Sequence, residues 1–214
     1  MTRRDYLILL AYSLLLFGVG VYGGRPLTMH ESVLAQSSRE MLACGDWLVP
    51  TSGGRPWLER PPLPQWITAG FIALFGNAEG EAVVRLGPML AGTWAVLVAA
   101  WLGQFFYGRR IGLLAGFILA TMVQFHRYST LCEQDVFLAA IVVSALAWFT
   151  RCEFGPPPNE SKNPFGLRPW STLIFFVLLS LTNLVKGLVF GTAMVLIPIG
   201  LWGLWNFRVR TLWR

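Results

Sequence analysis

Charge is scarce in this sequence. Only 13% of its 214 residues are Asp, Glu, Lys or Arg, against 55% hydrophobic ones, and the mean hydropathy is +0.55. That balance excludes an ordinary soluble domain. Cysteine is scarce too: Cys44, Cys132 and Cys152 lack the spacing of a metal-ligand set. Internal repeats and low-complexity tracts are also lacking. The net charge of +6 does not point to nucleic acid, because the arginines sit in short clusters between apolar runs, as on the cytoplasmic flanks of membrane helices.

What the sequence does have is apolar runs long enough to cross a bilayer, which takes about 20 residues. They cover 6–24, 81–105, 111–126, 135–150 and 168–207. The first follows Thr2-Arg3-Arg4 in the manner of a signal peptide, but it is longer than a usual apolar core and more runs follow, so it reads as an uncleaved first helix. The last is too long for one helix. It carries Asn183, Lys186 and Gly187 near its middle, and a lysine at the bilayer centre costs about 2.5–3.5 kcal/mol. A break there brings Lys186 to a surface.

Orientation follows from the arginines, since Lys- and Arg-rich loops stay in the cytoplasm. Arg3 and Arg4 put the N-terminus inside. Arg109 and Arg110, the 151–169 linker with five prolines, and the tail with Arg208, Arg210 and Arg214 are all inside only if the short apolar stretch 63–75 does not cross. The expected fold is therefore an all-α integral membrane protein with six transmembrane helices, its lipid partner being the bilayer itself. Residues 25–80 form a large external first loop. That loop bears two juxtamembrane helices: 29–43, with Met29, Val33, Leu34, Met41 and Leu42 on one face and a stop at Gly45, and 64–76, with Trp66 at headgroup level.

In this topology the external face collects His30, Glu31, Asp46, Glu59 and Arg60 from the first loop, and His126, Arg127, Glu133 and Asp135 from the second. Acidic groups beside a hydrophobic wall can act as bases or hold a metal ion. Solvated loop residues are the plainer reading of the same set.

The order of certain segments adds to this. "HESVLAQSSREMLACGDWLVP", "GRPWLERPPLPQW", "AVVRLGPML", "CEQDVFLA" and "LVKGLVF" resemble in succession the bacterial lipid-dependent glycosyltransferases of the GT-C fold, relatives of protein O-mannosyltransferases and of the aminoarabinose lipid A transferase. "REMLACGDWLVP" with "RPPLPQW" is the specific part. The resemblance implies transfer of a sugar from a polyprenyl-phosphate carrier to an acceptor, with inversion, at the outer face of the bacterial inner membrane. It also implies a catalytic carboxylate at the start of the first external helix. There the family's Asp-Glu pair is replaced by His30-Glu31, which leaves Glu31 as the retained carboxylate and His30 as a neutral imidazole able to take a proton.

By the same resemblance, Asp135 joins Glu31 in the catalytic site. Arg60, Arg85 and Lys186 contact the carrier phosphate, and Glu59 stands where some members bind a divalent metal. Each has a plainer alternative. Thr28-Met-His-Glu31 fits a capping box, Asp135 can cap the helix that follows it, and Glu59 can be a solvated loop residue. Arg60 can touch phospholipid headgroups, and Arg85 and Lys186 can snorkel. Family chains are longer and carry more spans, so a partner chain or continuation supplying the C-terminal half is expected. The competing function is a degenerate, non-catalytic member that binds a lipid carrier or supports a partner chain. A transporter is disfavoured, because the charges gather at one face and not at the midplane.

Overall fold

The computed structural model describes residues 1–76, 80–155 and 169–205. Helix α1 (Arg3–Tyr22) opens on a capping box between Thr2 and Asp5. Helix α2 (Met29–Cys44) opens on a second one, between Thr28 and Glu31, and ends at Gly45, whose φ of 75° is left-handed and suits glycine. A hairpin of β1 (Thr51–Ser52) and β2 (Arg55–Pro56) follows. Its Gly53-Gly54 turn has φ of 64° and 72°, the pattern of a tight two-residue hairpin loop. Then come α3 (Leu63–Phe75), α4 (Glu81–Val84), α5 (Leu86–Tyr107), α6 (Arg109–Thr121), α7 (Val123–Ser129), α8 (Asp135–Phe154), α9 (Pro169–Lys186) and α10 (Phe190–Trp205).

The fold is all-α apart from the hairpin, and the chain is a membrane protein. The helices α1, α8 and the near-continuous Glu81–Tyr107 are long and apolar enough to cross, and α6 with α7 makes a fourth candidate bent by 68°. The bend sits at Met122, whose extended backbone interrupts the helix. Helices α9 and α10 are apolar but shorter, so length alone carries four of the six expected crossings. The expected break in the last run is present: α9 ends at Lys186, and Gly187 turns the chain with φ of 83°. Of the cytoplasmic segments expected from the arginines, residues 156–168 and the tail arginines lie outside the described residues.

Long-range contacts order the helix ends. At one end Arg109 donates twice to the Asp5 carboxylate, at 2.8 Å each, which joins the starts of α1 and α6. The Phe154 ring at the close of α8 meets Phe106 and Trp202 there. At the opposite end Arg85 reaches Glu31, and Asp135 reaches Lys186. Successive long elements therefore alternate in direction.

Helix α3 does not take part in that alternation. Leu63 and Ile67 near its start pack with Phe137, while Ile72 near its close packs with Leu34, Ala35, Val84 and Cys132. Both ends thus contact groups at the Glu31 end, as a helix lying across the bundle must. Thirteen residues would span only about 20 Å in any case.

With no hydrophobic drive between helices in lipid, close approach through small residues holds them together. A Cβ on Gly112 would lie 2.7 Å from the Ala100 carbonyl oxygen, and one on Gly116 2.8 Å from Leu9 Cδ1. Helices α5 and α6 therefore meet at backbone contact, and the Leu9 side chain of α1 packs directly on α6 at Gly116.

Candidate functional site

The Glu31 end is built around one buried ion pair. Glu31 is fully buried and Arg85 essentially so. Arg85 Nε donates to Glu31 Oε1 at 2.7 Å, and its Nη2 donates to Oε2 at 3.2 Å. The rest of the guanidinium is also engaged: Nη1 donates to the Arg25 carbonyl at 2.9 Å, and Nη2 to that of Pro26 at 3.3 Å. The carboxylate in turn accepts from the Thr28 amide at 2.9 Å and the Cys132 amide at 2.9 Å. One side chain thereby ties the start of α2 to the entry of α5 and to the α7–α8 connection. Burial alone would raise the Glu31 pKa, but the Arg85 hydrogen bonds, with those from Thr28 and Cys132, outweigh it and hold the group below the ordinary glutamate value.

This geometry bears on two expectations. Glu31 has no free acceptor for a substrate proton, and Arg85 has no exposed face for a carrier phosphate. The capping-box alternative for Glu31 is realised, and the same carboxylate also serves as the clamp. The Cys132 thiol beside it is pushed up to about 12 by burial and by the Glu31 charge, which makes it unreactive.

Around the clamp runs a less saturated rim. Asp135 is the first residue of α8, and its carboxylate is paired with the Lys186 ammonium at the close of α9. It makes no helix-capping bond, since Gln134 holds the cap position. Arg60 Nη1 donates to Gln134 Oε1 at 3.1 Å, which brings the first loop over the 131–135 connection. His30 is exposed at the start of α2, and Glu133 is half-buried between Cys132 and Gln134. An apolar groove of about 260 Å³, walled by Leu119, Met122, Phe125, Tyr128 and Val136, reaches Asp135. The structure thus brings His30, Arg60, Asp135 and Lys186 to one end of the bundle.

Other expected members are engaged elsewhere or stand at the rim's edge. His126 packs its ring on Phe17 of α1. Asp46 accepts from the amides of Leu48 at 2.9 Å and Val49 at 3.2 Å, closing its own turn. Glu59 lies 3.8 Å from Arg60, and no three His, Cys, Asp or Glu side chains gather among the described residues. Among the described residues, no ligand set for a divalent metal forms around Glu59.

Sequence reasoning passed over Glu40. Its oxygens accept from Gln36, Thr51 and the amides of Gly53 and Gly54 at 2.7–3.2 Å. They seat the hairpin on α2, and those bonds lower the Glu40 pKa to about 2. The Gly-Gly turn was the signal for a hairpin, and the glutamate facing it was not recognisable without the fold.

The comparisons follow this geometry. The sequence model of the dolichyl-phosphate-mannose-protein mannosyltransferase family matches residues 59–155. The crystal structure of ArnT from Cupriavidus metallidurans bound to undecaprenyl phosphate superposes with a TM-score of 0.78 at 26% identity, over 94% of this chain and 37% of that one. The chain has the fold of the N-terminal portion of a GT-C glycosyltransferase. Among curated relatives, an undecaprenyl phosphate-alpha-4-amino-4-deoxy-L-arabinose arabinosyl transferase of Edwardsiella ictaluri is 39% identical over 35% of this chain and 13% of its own length. The enzyme of the same name from Enterobacter sp. is 28% identical over 56% of this chain and 21% of its own length. The chain therefore spans well under half the length of the GT-C relatives it resembles.

Proposed function

We propose that this chain forms the carrier-binding and catalytic end of a membrane glycosyltransferase. It moves a sugar from a polyprenyl-phosphate carrier to an acceptor hydroxyl at the outer face of the bacterial inner membrane. The observation that carries this reading is the rim itself: Lys186 and Arg60 stand at a bundle end where an apolar groove reaches Asp135, the partner of Lys186. A phosphate on an isoprenoid tail asks for that combination, cationic donors for the headgroup and an apolar wall for the chain. The likeness to ArnT and to the mannosyltransferase family supports it.

In this mechanism Lys186 turns from Asp135 to the carrier phosphate, and Arg60 contacts the same group, so that charge developing on the leaving phosphate is neutralised. Asp135 holds Lys186 in place before the donor arrives. His30, exposed at the start of α2, faces the acceptor side. A chain supplying the rest of the cavity wall completes the site.

Binding of undecaprenyl phosphate to the purified protein in nanodiscs tests the reading. Lys186→Ala and Arg60→Ala are each expected to weaken binding roughly 10- to 100-fold, the worth of one charge-assisted hydrogen bond. Unchanged affinity in both variants would refute it. Binding without sugar transfer would favour the non-catalytic carrier-binding reading.

A further inference from the structure

An inverting transfer needs a group that takes the acceptor proton, and the clamp removes Glu31 from that role. We infer that Glu133, in the short connection between α7 and α8, is the proton acceptor of the site, an inference that rests on the glycosyltransferase reading above. The Glu31–Cys132 hydrogen bond fixes the backbone on which Glu133 stands and sets it beside the start of α2, near His30. Its carboxylate takes part in no hydrogen bond or ion pair among the described residues, while Glu31, Glu40, Asp46 and Asp135 are all engaged. Glu133 is half-buried and two residues from the Asp135–Lys186 pair, within the rim assigned to the carrier phosphate.

The charged groups facing it are His30 and Glu31 from α2, Arg127 from α7 and Asp135 from α8. Burial raises the Glu133 pKa first, then the Asp135 charge, with a smaller push from Glu31. His30 and Arg127 oppose them without cancelling the rise. A base lifted toward neutral pH is better matched to proton transfer than an ordinary surface glutamate.

The step balances. The acceptor hydroxyl oxygen bonds to the anomeric carbon as the bond from that carbon to the carrier phosphate oxygen breaks. The electron pair of the broken bond leaves with the phosphate as free polyprenyl phosphate, and the hydroxyl proton passes to the Glu133 carboxylate.

The test is transfer by the full membrane protein from undecaprenyl-phosphate 4-amino-4-deoxyarabinose and from undecaprenyl-phosphate mannose, followed against pH. Glu133→Gln should lower turnover roughly 10²- to 10⁴-fold with undecaprenyl-phosphate affinity unchanged. In the wild type kcat/KM should fall as pH drops through the raised Glu133 pKa, and Asp135→Asn, which removes a neighbouring anion, should move that fall to lower pH. Labelling by a membrane-soluble carbodiimide, which needs a protonated carboxyl, should mark Glu133 at low pH and fade as pH rises through its raised pKa. Wild-type transfer with Glu133→Gln equally active would overturn the proposal and leave the glycosyltransferase reading standing. A wild-type protein that, with the rest of the cavity wall present, transfers neither sugar would overturn both.

Discussion

Glu31 and Glu133 stand at the same end of the bundle on segments joined by one hydrogen bond, and they differ in what their oxygens already hold. Glu31 is fully buried, ionised and shared among Arg85, Thr28 and Cys132. Glu133 is half-buried, holds no partner among the described residues and has its pKa pushed up. The contrast separates two uses of a carboxylate. Removing one partner of a buried pair leaves the other charge unsatisfied, so the first kind is read in stability. The second kind has acceptor capacity left for a ligand and is read in turnover.

The largest effect that can break this contrast is at the clamp. Glu31→Ala, or Arg85→Ala, should destabilise the protein by about 3–5 kcal/mol, the usual cost of orphaning a buried charge, measured by thermal unfolding in detergent. A double variant losing both charges should cost less than the sum, because the two groups are coupled. Additive losses would show that the pair is not one unit. The pH dependence has a definite sign. A carboxylate with a lowered folded-state pKa stabilises above its unfolded value, and that stability fades as pH falls through the folded one. Acid should therefore weaken the clamp, while an alkaline shift should leave it intact.

A smaller effect tests whether the clamp or the helix packing sets the bundle. Gly112→Ala places a methyl 2.7 Å from the Ala100 carbonyl oxygen and should cost about 1–3 kcal/mol through overpacking. It is far from the rim, so binding of undecaprenyl phosphate should be retained by the folded fraction. Loss of binding with stability unchanged would place the coupling elsewhere.

Glu40 gives a more local effect. Hydrogen exchange at the Gly53 and Gly54 amides should accelerate in Glu40→Ala. In the wild type it should accelerate as pH falls from the ordinary glutamate value of 4.5 toward about 2, once the intrinsic pH dependence of exchange is removed. Global unfolding should barely move. The least effect is expected at the opposite end: Asp5 is buried but its partner Arg109 is 60% exposed, so Asp5→Asn should lower the thermal unfolding temperature less than loss of the fully buried clamp does.

Much of the architecture was legible in the sequence because its signals are local. The Thr28-x-x-Glu31 box, the glycines at 45, 76 and 187 and the lysine within the last apolar run marked where helices start and stop. The arginine clusters set the expected direction of each apolar run. The clamp was not legible. Arg85 is 54 residues from Glu31, and Cys132 is 101, so no local pattern tells that Glu31 meets them. The resemblance drew attention to Glu31 as a reactive carboxylate, where the fold has used its oxygens for support. Glu133 was visible as one acidic residue among several. Its distinction, an unpartnered and half-buried carboxylate beside the Asp135–Lys186 pair, exists only once the chain has folded.

The central claim is that support and chemistry at this end belong to different carboxylates, and parallel measurement of Glu31→Gln and Glu133→Gln tests it most directly. Thermal unfolding in detergent and sugar transfer from undecaprenyl-phosphate donors are followed on both variants. The account predicts that Glu31→Gln unfolds at a clearly lower temperature, while Glu133→Gln melts like the wild type and loses transfer. A Glu31→Gln protein of wild-type stability that has lost transfer, beside a fully active Glu133→Gln, would contradict it.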